Sequence, residues 1–148
     1  MSVFGIAGLP AFHGLVGVGQ PITGEPLVVS AAAGSVGGFV GQIGKALGLR
    51  VVGIAGGPEK CAYATEELGF DACIDYRASG MFKALKAACP DGVDIYFDNV
   101  GGPILETTLA LMNERGRVVC CGAISQYETD TPTGHRNLPG LDVTKRQR

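Results

Sequence analysis

LVVSAAAGSVGGFVGQIGKALG, residues Leu27–Gly48, is the stretch on which the fold turns. A short apolar run, Leu27-Val28-Val29, stops at Ser30 and a turn of small residues. A helical pattern follows from Ser35, and a second β-branched run opens at Val51. Strand, tight glycine turn, helix and strand make one βαβ unit. Ala32-Ala33-Gly34-Ser35-Val36-Gly37 matches G-x-G-x-x-G with alanine in first place. In that pattern the middle glycine lets backbone approach a pyrophosphate. The last lets the helix pack closely, and the helix N-terminus offers free N–H groups to the anion. The motif gains weight from lying between a strand and a helix, and the competing reading is a glycine turn that holds nothing.

The helix expected over Ser35–Leu47 carries two stripes. Val36, Val40, Ile43 and Leu47 form one; Gly37, Gly41, Gly44 and Gly48 form the other, one residue on. An interior glycine costs a helix up to about 1 kcal/mol, so three of them imply backbone-close packing against a sheet. Outward from this unit the alternation continues. Strands are expected at Val51–Ala55, Ala72–Ile74, Val93–Phe97 and Gly116–Cys121. Helices are expected from Pro58 to Leu68, from a Ser79 cap to Cys89, and from Pro103 to Met112. The face Cys61, Ala64, Thr65 and Leu68, and the face Met81, Phe82, Leu85 and Ala88, should point inward. Before the first strand, Leu9, Phe12, His13, Val16 and Val18 suggest a short helix ended by Gly17, Gly19 and Pro21; His13 reads as structural rather than as a ligand.

Such alternation specifies an α/β fold: an open parallel sheet of Rossmann type with helices on both faces, strand order 3-2-1-4-5 by right-handed crossovers. Ligands in these sheets bind beyond the carboxyl ends of the strands, at the point where winding reverses. Residues 30–37, 56–60, 98–102 and 121–127 therefore converge on one crevice. The division expected is a nucleotide-binding domain over residues 1–128 and a basic, proline- and glycine-containing tail over residues 129–148, read as solvated.

Composition narrows the classes. At 148 residues the chain makes one domain, and 46% hydrophobic residues suffice for a core. A net charge of -2 gives no basis for nucleic-acid binding. Apolar runs fall short of the roughly eighteen residues that a membrane span needs. A secretory signal pattern is missing from the N-terminus. The five cysteines, Cys61, Cys73, Cys89, Cys120 and Cys121, form no C-x-x-C, and His13 and His135 lie far apart, so no metal site is expected. Free thiols fit a reducing cytoplasm.

The end of the second strand, Ile54-Ala55-Gly56-Gly57, lacks the acidic residue that binds the ribose 2′-hydroxyl in NAD sites. Lys60 follows soon after, and Tyr76 and Arg77 close the neighbouring strand. A cation and a phenol suit a 2′-phosphate, so NADP(H) is favoured over NAD(H), against the alternative that Lys60 is an ordinary surface lysine.

AAAGSVGGFVGQIGKALG, VVGIAGGPEK, ELGFDACIDY, PDGVDIYFDNVGG and GRVVCCGAISQY, in this order, resemble the zinc-independent medium-chain dehydrogenase/reductases. The nearest group is that of the prostaglandin reductases, leukotriene B4 dehydrogenases and curcumin reductase-like enzymes. The resemblance runs from Phe4 to Leu141. It implies reduction of the C=C bond of α,β-unsaturated ketones and aldehydes (enones and alkenals) with NADPH. It implies pyrophosphate contacts at Gly34, Ser35, Val36 and Gly37 and 2′-phosphate contacts at Lys60 and Tyr76. Contacts under the nicotinamide half are implied at Asn99, Cys121, Gly122, Ala123, Ile124, Ser125, Gln126 and Tyr127.

The chain also departs from the family. A GroES-like domain, which supplies much of the substrate pocket, and a sixth strand are both missing from this sequence. Pro10-Ala11-Phe12 stands where the family has Thr-Ala-Tyr, which removes a hydroxyl. Tyr127 is the candidate proton donor at the crevice and equally a wall of it, so no residue is assigned as catalytic. Two functions remain: the cofactor domain of an enone or alkenal reductase, or a non-catalytic NADP(H)-binding module or inactive fragment. The expected partners are a small-molecule enone or alkenal and a second copy of the chain, through the uncovered edge of strand five.

Overall fold

The computed structural model describes residues 8–121. The sequence expectations for residues 122–127, for Tyr127 and for the tail at 129–148 lie outside the described residues.

Five strands, β1 (Pro26–Ser30), β2 (Arg50–Ala55), β3 (Ala72–Asp75), β4 (Val93–Asp98) and β5 (Met112–Cys120), form one sheet in the order β3-β2-β1-β4-β5. Every neighbouring pair is parallel. The expected order is therefore the observed one. Between the strands run α2 (Ser35–Ala46), α3 (Pro58–Glu66), α4 (Met81–Ala88) and α5 (Gly102–Leu109). Ahead of them α1 (Leu9–Phe12) continues as a π-helical segment, His13–Gly19.

The strands alternate, and the alternation sorts the core into two layers. Leu27, Val29, Val51, Ile95, Phe97 and Val119 face one side, packed with Ala11, Leu15, Val40, Ala64 and Phe70. Val28, Val52, Ile54, Tyr96 and Val118 face the other, packed with Leu85 and Leu105. Helices α2 and α3 thus cover one face while α4 and α5 cover the other. Right-handed crossovers require this when the chain winds out from β1 to β3 and then returns to β4.

The glycine stripe of α2 serves the close packing that the sequence implied. A Cβ on Gly41 would sit inside the Phe70 ring, and one on Gly44 would lie 2.8 Å from Leu27 Cδ2 and 3.0 Å from Val51 Cγ2. Gly53 on β2 is under the same constraint, with 2.6 Å to Ala32 Cβ and 2.9 Å to Phe70 Cδ2. Phe70 fills the space that the missing side chains of Gly41 and Gly53 leave.

Several local expectations need correction. Helix α5 ends at Leu109, and Met112 opens β5 instead of closing the helix. The amide of Asn113 explains this: its Nδ2 donates to Asp91 O at 2.9 Å and to Asp94 Oδ1 at 3.0 Å, which holds the chain beside the start of β4. The ladder then shifts register between Val93 and Ile95. Arg115 adopts φ +69°, which marks the irregularity on β5. Ser79 does not cap α4; the N-cap is Gly80 at φ +80°. Phe82 is 46% exposed and does not point inward, because Met81, Leu85 and Ala88 alone share the buried side of α4. The first helix runs through Gly17 to Gly19. Its π-helical widening lets Gly14 lie over β4 and β5, where a Cβ would come within 2.8 Å of Phe97 Cε2. Arg117 on β5 secures the far end, donating to Gly19 O at 2.7 Å and Gln20 O at 3.0 Å while pairing with Glu25 at 2.6 Å.

Substituting two neighbouring glycines of α2 separates packing from helix propensity. Gly41→Ala should lower stability by about 1–3 kcal/mol, because overpacking against Phe70 outweighs the propensity gain. Gly38→Ala should be neutral or stabilising, since its Cβ would have one tight contact, Leu68 Cδ1 at 3.2 Å at the end of a partly exposed side chain, and an ordinary one to Ala32 O at 3.8 Å. Urea unfolding midpoints of the two variants decide this; equal midpoints would contradict the packing account.

Candidate functional site

The carboxyl ends of the strands open into a cavity of about 580 Å³. The β1–α2 turn contributes Ala31, Ala33 and Gly34; the β2 end and α3 contribute Ala55, Gly56 and Lys60. Tyr76 follows β3, Met81 begins α4, and Val100 to Ile104 and Thr107 form the wall on the α5 side. A second hollow of about 270 Å³ continues around the start of α2 past Ser35 and Gly38 to Gln42 and Tyr63.

The turn at the centre is built by contact. Ala31 takes φ +51°, a left-handed conformation uncommon for alanine. That bend brings the Ala31 carbonyl oxygen directly under α2, where a Cβ on Gly37 would strike it. Gly37 is therefore obligatory for the turn itself. Gly34 differs: its backbone is extended, φ -83° and ψ 178°, and a Cβ would lie 3.3 Å from Ala31 O. The turn could accommodate a small side chain there with a slight adjustment of the Ala31 carbonyl.

Helices α2, α3, α4 and α5 all begin at this crevice, and the start of a helix leaves N–H groups without intrahelical partners. Just ahead of α5 the Asp98 carboxylate holds the turn: Oδ1 accepts from Gly101 N at 2.7 Å, Val100 N at 3.1 Å and Tyr96 Oη at 3.0 Å. At α3 the Asp75 carboxylate does so, accepting from Gly57 N at 2.9 Å and Arg77 N at 2.9 Å. These bonds, that of Gly57 first, hold the Asp75 carboxyl below the usual carboxylate range. Helix α2 has no side-chain cap and no acidic residue in its first turn. The start of α2 faces the cavity with no carboxylate beside it, as does that of α4 at Met81, and such a start suits an anion from outside.

The site residues expected from sequence are distributed as follows. Gly34, Lys60 and Tyr76 line the main cavity, and Ser35 lines the adjoining hollow. Val36 is half-buried against the core, and Gly37 lies under the turn. Asn99 sits where winding reverses: its N–H donates to Ser30 Oγ at 2.8 Å and its Nδ2 to Ser30 O at 2.8 Å, joining the ends of β1 and β4. Cys121 N donates to Asp98 O at 2.8 Å. Burial, with the Asp98 charge second, raises the Cys121 thiol above its ordinary pKa, and the same two causes raise the Tyr96 phenol. Neither is poised as an anionic nucleophile or base. Sequence reasoning missed the wall made by Met81, Ile104 and Thr107. Ile104 and Thr107 stand three apart on one side of α5, a spacing that was there to be found.

Among the described residues no three His, Cys, Asp or Glu side chains come together to hold a metal ion, and no helix is long and apolar enough to cross a membrane.

Residues 35–147 match the family model described as zinc-binding dehydrogenase. The described part of this chain does not offer a donor set that fits zinc. The NADPH-dependent curcumin reductase of Escherichia coli is 50% identical over 145 residues, which is 97% of this chain and 42% of that protein. The (+)-pulegone reductase of Mentha piperita is 42% identical over 139 residues, 93% of this chain and 41% of that protein. The crystal structure of CurA from Vibrio vulnificus in complex with NADPH superposes with a TM-score of 0.83 at 46% identity, covering 95% of this chain and 43% of that one. The chain thus spans about two fifths of the length of these relatives. Its strand order, its glycine turn and these matches place it in the zinc-binding dehydrogenase family, among the medium-chain dehydrogenase/reductases it resembles, as their Rossmann-type domain.

Proposed function

We propose that the chain is the NADP(H)-binding domain of an oxidoreductase that reduces the C=C bond of α,β-unsaturated ketones or aldehydes. The observation that carries the reading is the open N-terminus of α2, in the same cavity as Lys60 and Tyr76 and beside a β2 end without a carboxylate. Relatives support the rest: one is named an NADPH-dependent curcumin reductase, one a pulegone reductase, and one was solved with NADPH. Curcumin and pulegone are both α,β-unsaturated ketones.

When bound, NADPH supplies a hydride for the carbon β to a carbonyl. The residues of this chain bind and orient. The N–H groups at the start of α2, from Ser35 to Gly37, receive the pyrophosphate, which lies against the bare backbone of Gly34. The Lys60 ammonium and the Tyr76 hydroxyl hold the 2′-phosphate. The apolar wall of Met81, Ile104 and Thr107 gives the adenine half a surface to lie on. Asn99, fixed by both of its bonds to Ser30, and Cys121 border the nicotinamide half. Holding a cofactor in one orientation removes much of the entropic barrier to transfer.

Gly34→Val should leave the fold intact, because the residue has an ordinary extended backbone, and should weaken NADPH binding about a hundredfold, roughly 2.7 kcal/mol. Circular dichroism paired with a fluorescence titration checks it, and a folded variant that binds as wild type would place the cofactor elsewhere. The wild-type chain should prefer NADPH to NADH at least about tenfold, and Lys60→Ala should remove most of that margin of about 1.4 kcal/mol. Equal affinity of the wild type for the two dinucleotides would contradict the assignment.

A further inference from the structure

Asp75 ends β3 in register with Ala55, the last residue of β2. It is a carboxylate one strand away from the place where dinucleotide sites often carry their ribose-binding acid. Here it is engaged otherwise. Oδ1 accepts the N–H groups of Gly57 and Arg77, each at 2.9 Å. Gly57 is the N-cap of α3 and stands at φ +105°, ψ 155°, a conformation open in practice only to glycine. The bond from Asp75 holds that turn. The next residue, Tyr76, donates its N–H to Ala55 O at 3.1 Å. Its ring covers the same turn, so closely that a Cβ on Gly56 would lie 2.9 Å from Tyr76 Oη. Lys60 lies in the first turn of α3, just beyond Gly57. One carboxylate oxygen therefore fastens together the two segments that carry Lys60 and Tyr76.

We propose that Asp75 is a positioning residue for the 2′-phosphate: by pinning the β2–α3 turn beneath Tyr76 it sets the preference for NADP(H) over NAD(H). The proposal rests on the NADP(H) reading above. The useful part of Asp75 is its acceptor oxygen. Its negative charge has the same sign as the phosphate and works against it. Asparagine keeps an acceptor oxygen at that place and removes the charge, whereas alanine removes both. The two substitutions should therefore separate.

Equilibrium titrations of the full chain with NADPH and with NADH test this. Asp75→Ala should cut the preference for NADPH by about tenfold, the scale of a lost hydrogen bond to a charged group, and leave NADH affinity within about twofold. Asp75→Asn should keep at least the wild-type preference. A purely structural role would weaken both dinucleotides together and leave their ratio unchanged. A wild-type ratio in Asp75→Ala overturns the proposal, and so does a ratio in Asp75→Asn that falls below wild type. The asparagine variant alone decides the matter if the alanine variant fails to fold. A wild-type chain without preference overturns the NADP(H) reading and this proposal with it, whereas a wild-type preference that Asp75→Ala leaves unchanged overturns only the role of Asp75.

Discussion

The approach of the Ala31 carbonyl to α2 is the contact on which the site depends. It exists only because Gly37 has no side chain: a Cβ there would strike the oxygen. With that approach, α2 starts immediately above the end of β1 and points its first N–H groups into the crevice. Without it, the helix would move outward and the glycine stripe would lose its fit to Phe70, Leu27 and Val51. The same close packing thus serves stability and ligand geometry, so the helix tolerates residues of poor helix propensity.

Charge then divides the crevice. Asp98 and Asp75 accept backbone N–H groups just ahead of α5 and α3, which fixes those turns. The start of α2 has no such carboxylate, and it is there that we propose the pyrophosphate binds. The turn around Gly57, tied by Asp75 and overlaid by Tyr76, lies next to Lys60, where a 2′-phosphate changes the net attraction.

Much of this was legible in the residues because it rests on local rules. Short apolar runs at Leu27–Val29 and Val93–Phe97, set between turns and helical patterns, identified the strands, and handedness of crossover ordered them. The glycines of α2 announced close packing before their partners were visible. What was illegible depends on contacts between segments distant in sequence. Leu111 and Met112 continue an apolar helical pattern, and only the bonds of Asn113 to Asp91 and Asp94 turn that segment into strand. The π-helical segment follows from Gly14 seated over Phe97 and from Arg117 reaching Gly19 and Gln20. Asp75 and Asp98 looked like ordinary strand-end acids. Their capture of backbone N–H groups is a property of turn geometry that spacing does not express.

The central claim is that the start of α2 offers the anion site, while the turns ahead of α3 and α5 are tied by Asp75 and Asp98. Titrating the isotope-labelled chain with inorganic pyrophosphate while following backbone amide resonances tests it directly. The largest shifts should fall on Gly34, Ser35, Val36 and Gly37, with Gly57, Val100 and Gly101 changing little. Shifts concentrated at Gly57 or Gly101, with the α2 amides unmoved, would contradict the account.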